Sequence, residues 1–356
     1  MDKGSIWWGQ VINAKQIIDN ITDNICAGEN VVLTLPAYIP WQDFFYNSID
    51  SRLRQEFADK TIEIHDQGQV QGEVGKYMLK EFCRPEVQSR YRGFQSYAAF
   101  MAQTLETDLH DRIIWVKQVQ GEQLQEWLDF VSDYTEAVHK CDEYRSPARF
   151  ILEGPAVTEL QQEWKNIVRV SFDEQITDYD RYSFCTMLAT EVDCKDFLQQ
   201  YLSDVVSLVC GVDIELCAAC VAHWESFLQN PEMALRSICQ EERRSDGSAF
   251  ELEQILPYLN KKLWEAQVRN VFPAIEKYRI AFLEGHREYL EVLPEQEEDL
   301  EIGRLAYYAG TGQLYLKNEE ATELNNYKAA RNTLAHLGTL GYKKVKEFLK
   351  NAAKYN

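Results

Sequence analysis

The feature that most constrains this chain is a set of five short Val- and Ile-rich runs in its first half, each set off from the next by other structure-forming segments. They are VVLTLP (Val31 to Pro36), TIEIHD (Thr61 to Asp66), RIIWVKQV (Arg112 to Val119), ARFILEG (Ala148 to Gly154) and IVRVSF (Ile167 to Phe172). Strands of this composition, alternating with helix-length segments, are the pattern of a mainly parallel sheet covered on both faces, because parallel neighbours need long crossovers. The helix-length segments are an amphipathic stretch from about Val11 to Ala27, WQDFFYNSIDSRLRQEF, a helical stretch through KYMLKEF and SYAAFMAQTLE, and Gln123 to about Cys141. The expectation is an α/β domain over residues 1–176.

From about Thr177 the strand signal fades. Phe184, Leu188 and Val192, and then Phe197, Tyr201, Val205 and Leu208, recur at helical spacing. This predicts a helical domain over 177–285, with a polar break at Glu241 to Phe250, and a last helical segment over 286–356 interrupted by Gly310, Gly312, Gly338 and Gly341. The fold class is therefore α/β plus all-α. The carboxylates Glu295, Glu297, Glu298 and Asp299 fall in a polar run that reads as a solvated linker or the charged start of a helix.

An apolar fraction of 45% with 12% aromatics is that of a folded protein. No apolar run approaches the roughly 18 to 20 residues that span a bilayer, and MDKGSIWWGQ has no signal-peptide pattern, so the expectation is a cytoplasmic protein with no membrane partner. Nine scattered cysteines read as reduced and mostly buried. A net charge of −20 counts against a general nucleic-acid scaffold. It leaves a local RNA site open, since Gly341 to Asn356 carries Lys343, Lys344, Lys346, Lys350 and Lys354 against Glu347.

The layout of the strands resembles the core of ASCE-type or STAND-type P-loop NTPases. A phosphate-binding loop needs G-x4-G-K-[ST] after a strand, for backbone amides that cradle phosphates, a lysine that neutralises them and a hydroxyl for magnesium. Here VVLTLP leads into AYIPWQDFF, which has neither glycine nor lysine. The Gly75-Lys76 pair opens a helix after TIEIHD, but Val70 stands at the first glycine position and Tyr77 at the hydroxyl position. Where an acidic pair should end the metal-binding strand there are Lys117 and Gln118, with Glu122 beyond them. The resemblance thus implies a degenerate P-loop fold kept as an interaction platform without a cofactor. Lys76 is the cofactor-binding candidate should the chain be an ATP-dependent switch.

A second resemblance lies in Arg331-Asn332-Thr333-Leu334-Ala335-His336. An arginine, a polar residue and a histidine a few positions on resemble the signature of the HEPN superfamily, helical domains common in bacterial toxin and antiphage systems. Histidine suits proton transfer near neutrality, and arginine's planar fork suits a phosphate. The resemblance implies His336 as the proton-transfer residue, Arg331 as the phosphate clamp, Asn332 as an orienting group, and a homodimer that completes the site. On a helix, residues five apart point about 140° away from each other, so the pair converges only if the helix bends or a second subunit contributes. The alternative is structural: His336 favours the negative end of a helix and ties its last turn to Asn332.

Cys217, Cys220 and His223 have ligand-like spacing for zinc, but no second C-x2-C pair completes four ligands, and the expectation is three helical side chains with no metal. Trp7, Trp8, Trp41, Phe44, Phe45 and Tyr46 form either a partner surface or the packing of the first helices on the sheet. The leading functional reading is a non-catalytic adaptor or sensor of an antiphage or toxin-type system, binding a protein partner. A metal-independent endoribonuclease acting on RNA as a dimer, and an ATP-dependent switch, are the alternatives.

Overall fold

The computed structural model describes residues 2–70, 72–119, 121–141, 146–155, 164–211, 213–290, 293 and 300–355. The carboxylates Glu295, Glu297, Glu298 and Asp299 lie outside the described residues. The chain forms two compact units, 1–180 and 181–356.

In the first unit the order is α1 (Lys3–Gln10), α2 (Ile12–Ala27), β1 (Asn30–Leu35), α3 (Gln42–Glu56), β2 (Thr61–Asp66), α4 (Val74–Phe82), α5 (Pro85–Gln88), α6 (Tyr97–Gln103), β3 (Arg112–Lys117), α7 (Gly121–His139), β4 (Arg149–Pro155), β5 (Ile167–Ser171) and α8 (Phe172–Gln175). The five strands make one sheet in the order β2-β3-β4-β1-β5, and every pairing is parallel. The five Val/Ile-rich runs are these strands.

Burial follows from position in the sheet. All six residues of β1 are buried, because β4 and β5 flank it and helices cover both faces, whereas the edge strand β2 leaves Ile64 exposed. Side chains alternate along each strand, so Val32, Ile114, Val116, Phe150 and Leu152 share the face that packs under α4, α6 and α7. The opposite face carries Leu33, Trp115, Ile151 and Glu153, in register across β1, β3 and β4. On α2, Ile17, Ile18, Ile21 and Ile25 form the buried stripe, and α2 packs on β1, β5 and α3.

The tryptophans of α1 are core. Trp7 and Trp8 are buried, and the Trp8 ring lies 4.6 Å from that of Phe45. Trp8 also donates from Nε1 to the Pro40 carbonyl at 2.6 Å, which pins the loop after β1.

The second unit is helical: α9 (Asp178–Glu191, of which the part from Arg181 belongs here), α10 (Asp196–Cys210), α11 (Ile214–Ala222), α12 (Trp224–Gln229), α13 (Pro231–Glu241), α14 (Leu259–Leu290), α15 (Ile302–Gly310), α16 (Asn318–Ala335) and α17 (Tyr342–Ala352). The long α14 organises it by packing against α10, α16 and α17. Tyr278 of α14 stacks on Tyr327 of α16, with ring centroids 3.8 Å apart and planes within 4°. The polar break after α13 is tied down: Arg244 holds Asp213 at 2.9 Å and Ser245 donates to Glu215. Among the described residues no helix is long and apolar enough to cross a membrane.

Candidate functional site

The strand order creates a crevice. The connection from β1 leads to β2 at one edge, while the connection from β4 leads to β5 on the other side of β1. In open α/β sheets, ligands bind outside the carboxyl ends of strands where connections diverge in this way. A cavity of about 640 Å³ lies there, with Leu35, Pro36, Ala37 and Ile39 after β1, Gln118 after β3, Glu153 and Gly154 on β4, Gln42 and Tyr46 on α3, and Asp173 on α8.

Glu153 is its chemical centre. It is only 8% exposed, yet it accepts from Tyr46 Oη at 2.8 Å and from Trp115 Nε1 at 3.3 Å. Burial pushes its carboxyl above the usual range; Tyr46, Lys117 and Trp115 pull it back down, and Asp66 adds to the rise. The Tyr46 hydroxyl is driven up in turn, by burial first and by Glu153 second. Lys117 does not ion-pair with Glu153. Its Nζ sits 3.5 Å from the Tyr46 ring centroid, a cation–π contact.

The walls of this crevice are set by backbone constraints. Trp41, at the start of α3, and Gln118, just after β3, both have left-handed φ values, 43° and 58°, that non-glycine residues seldom adopt. Val119 donates to the Glu153 carbonyl at 2.8 Å, and a Cβ on Gly154 would stand 2.8 Å from the Val119 carbonyl oxygen. Glycine at 154 therefore lets the segment after β3 close onto the end of β4. Nothing in the sequence singled out Glu153, and Tyr46 stood out only as a member of an aromatic cluster; the usable signal was an acidic residue inside an apolar strand, ARFILEG.

The Gly75-Lys76 pair has a different setting. Lys76 is exposed on α4. Gly75 is buried against Tyr97, where a Cβ would come within 2.6 Å of the ring, so close helix–ring packing accounts for this glycine. A cavity of about 250 Å³ beside it is lined by Glu73, Glu126, Asp129 and Asp133, a set of charges that repels phosphate.

In the helical unit, Arg331 and Asn332 lie on α16 and His336 is its C-cap. The guanidinium of Arg331 is taken up by Glu301, the N-cap residue of α15, at 3.0 Å. Asn332 and His336 are exposed, and the His336 amide donates to the Asn332 carbonyl at 3.1 Å. The helix closes in a Schellman arrangement: Gly338 donates to the Thr333 carbonyl at 2.9 Å and Leu337 to that of Leu334 at 3.1 Å, with Leu337 left-handed at φ 61°. Two side chains of α14 hold this turn. Trp264 Nε1 donates to the Leu334 carbonyl at 2.7 Å, and Gln267 grips Leu340 at both its carbonyl (2.9 Å) and its amide (2.7 Å). Just beyond, a cavity of about 770 Å³ is bounded by Thr333, Thr339, Lys343, Lys344 and Lys346, with Glu225 and Gln229 opposite.

Cys217 and Cys220 turn inward and His223 does not join them. The two thiols meet Cys185 and Cys210 in the core, with Cys210 Sγ 3.6 Å from Cys220 Sγ. His223 sits outside, its Nε2 2.6 Å from Glu242. Burial raises the Cys185, Cys210 and Cys220 thiols, while Cys217 is held down by the neighbouring Cys185 and Cys210 thiols. Among the described residues no group of three or more His, Cys, Asp or Glu is arranged to hold a metal ion. No protein family matches the chain, and no curated protein matches it in sequence.

Proposed function

We propose that this protein is a non-catalytic adaptor or sensor, cytoplasmic, whose α/β unit is a degenerate relative of P-loop NTPases kept as a binding platform. The observation that carries this reading is the composition of the crevice. It lies where a doubly wound sheet receives a nucleotide, but its floor is the buried carboxylate of Glu153, and the loop after β1 contains Pro36 and Pro40, which have no amide hydrogen to offer a phosphate. The setting in a bacterial antiphage or toxin-type system, and a protein partner, rest on the two sequence resemblances. Melting of the full chain with and without MgATP tests the platform reading: an unchanged melting temperature is expected, and a rise would overturn it, because a ligand that binds only the folded state must stabilise it.

A second reading, a metal-independent endoribonuclease acting as a dimer, draws support from the lysine-bounded cavity that begins at Thr333, three residues before His336. Incubating RNA with purified protein in the absence of metal separates the two. Cleavage that leaves 2′,3′-cyclic phosphate ends and is lost in His336→Ala, with both proteins melting alike, would establish the ribonuclease; intact RNA is expected of the adaptor.

A further inference from the structure

The geometry points to the crevice as a site for a small organic cation, an amine or guanidine on an apolar body, with Glu153 as its counter-ion; this deepens the platform reading and rests on it. Three observations converge. The first is charge: Glu153 and Asp173 line the cavity, Asp66 acts on Glu153, and among the described residues the cation acting on Glu153 is Lys117, which is engaged with the Tyr46 ring. An anionic ligand would meet more carboxylates than cations, whereas a cation would improve the balance.

The second is unused hydrogen-bonding capacity. A carboxylate offers about four acceptor positions, and Tyr46 and Trp115 take one on each oxygen of Glu153, so the remaining positions on this cavity-lining group are free for the N–H donors of an ammonium or guanidinium. The third is shape. Leu35, Pro36, Ala37 and Ile39 give the cavity an apolar wall, and its volume of about 640 Å³ is that of pockets which enclose a small organic molecule. The Tyr46 ring, already a cation–π partner for Lys117, is positioned at the same site.

Thermal melting of the full chain with phenethylamine, agmatine, phenethyl alcohol and MgATP tests this. Either amine or both should raise the melting temperature by several degrees in excess probe, and the uncharged alcohol should not. Glu153→Gln should melt at or above the wild-type temperature and lose the response. Ala37→Arg, at an exposed position on the crevice wall, places a guanidinium of the chain's own at the mouth and should lose the response without disturbing the core. Silence toward both amines, an equal response to the alcohol, or a response retained in both variants would sink the proposal. A shift with MgATP would sink it together with the platform reading, whereas silence toward every probe sinks the cation site alone.

Discussion

The crevice around Glu153 and the motif at the end of α16 are built in opposite ways. Glu153 is 8% exposed and takes its surroundings from β3, β4, α3 and the loop after β1, segments spread over more than a hundred residues. Arg331, Asn332 and His336 come from six consecutive residues, two of them exposed, and the arginine is occupied by a surface ion pair. A buried charge costs free energy unless its surroundings compensate it, whereas an exposed motif costs almost nothing to keep or lose. The contrast teaches that motif spacing and physical commitment are different kinds of evidence. The motif has the spacing, and the crevice has the commitment.

The sharpest way to break that contrast is to remove what fixes the motif from outside. Gln267 is 3% exposed and satisfies both the amide and the carbonyl of Leu340, itself buried. Gln267→Ala leaves both groups without their partner, and at about 1–3 kcal/mol for each buried unsatisfied group the loss of stability should be about 2–6 kcal/mol. Urea denaturation would read it as a lower midpoint. A loss below about 0.5 kcal/mol would mean that the turn between α16 and α17 holds its own geometry, and the motif would then be more self-sufficient than the contrast allows.

Next in size is the titration of Glu153. Burial raises its folded-state pKa above the unfolded value, so the folded state favours the protonated form. The sign follows from linkage: this contribution to stability is fully present below the unfolded pKa, about 4.3, and is lost as pH rises through the folded pKa. Glu153→Gln cannot titrate. Its stability should match that of wild type near pH 4 and exceed it above the folded pKa, a difference that opens with rising pH and then levels off. Denaturation midpoints of the two proteins compared between about pH 4 and pH 8 would show it. A difference that closes with rising pH would mean that Tyr46 and Trp115 stabilise the ionised form more than burial opposes it, and the crevice floor would then be an ordinary satisfied carboxylate.

How much of this was legible beforehand depends on whether the information was local. The strands were, because continuous Val and Ile runs separated by helix-length segments leave few alternatives; the five-stranded parallel sheet follows those runs closely. The helical stripes were legible in kind but not in detail: on α10 the buried set is Leu198, Tyr201, Leu202, Ser203, Asp204, Val205, Val206, Val209 and Cys210, which takes in Tyr201 and Val205, leaves Phe197 and Leu208 half-buried, and is wider than a single i, i+4 line because α11, α14 and α17 all pack on this helix. The crevice was not legible. Strand order decides that the ends of β1 and β4 are neighbours, and no local pattern states strand order. Glu153 looked like one acidic residue among 57 because its partners Tyr46 and Trp115 lie 107 and 38 positions away. Cys217 and Cys220 show the other direction: their spacing matches a ligand pair, but with no second pair to complete it they read as helical side chains, and the helix turns both into the core toward Cys185 and Cys210 and leaves His223 outside.

The smallest expected effect tests the motif's own end. Leu337 holds a left-handed conformation at φ 61°, the position that closes a Schellman turn and that glycine occupies without strain, and its side chain is 70% exposed. For an L-residue this conformation costs about 1–2 kcal/mol, and glycine returns part of that gain through the greater entropy of its unfolded chain. Leu337→Gly should therefore stabilise the protein by about 0.5–1 kcal/mol, while Arg331→Ala, which removes an exposed ion pair with Glu301, should cost less than about 1 kcal/mol. Denaturation of the two variants beside wild type measures both. If Leu337→Gly is instead destabilising, the exposed leucine makes contacts in solution, as it would across a dimer; the end of α16 would then be an interface, and the motif would carry a physical commitment of its own. Stabilisation by glycine, with a nearly silent Arg331→Ala, would leave the motif with no physical commitment of its own and the contrast with the crevice intact.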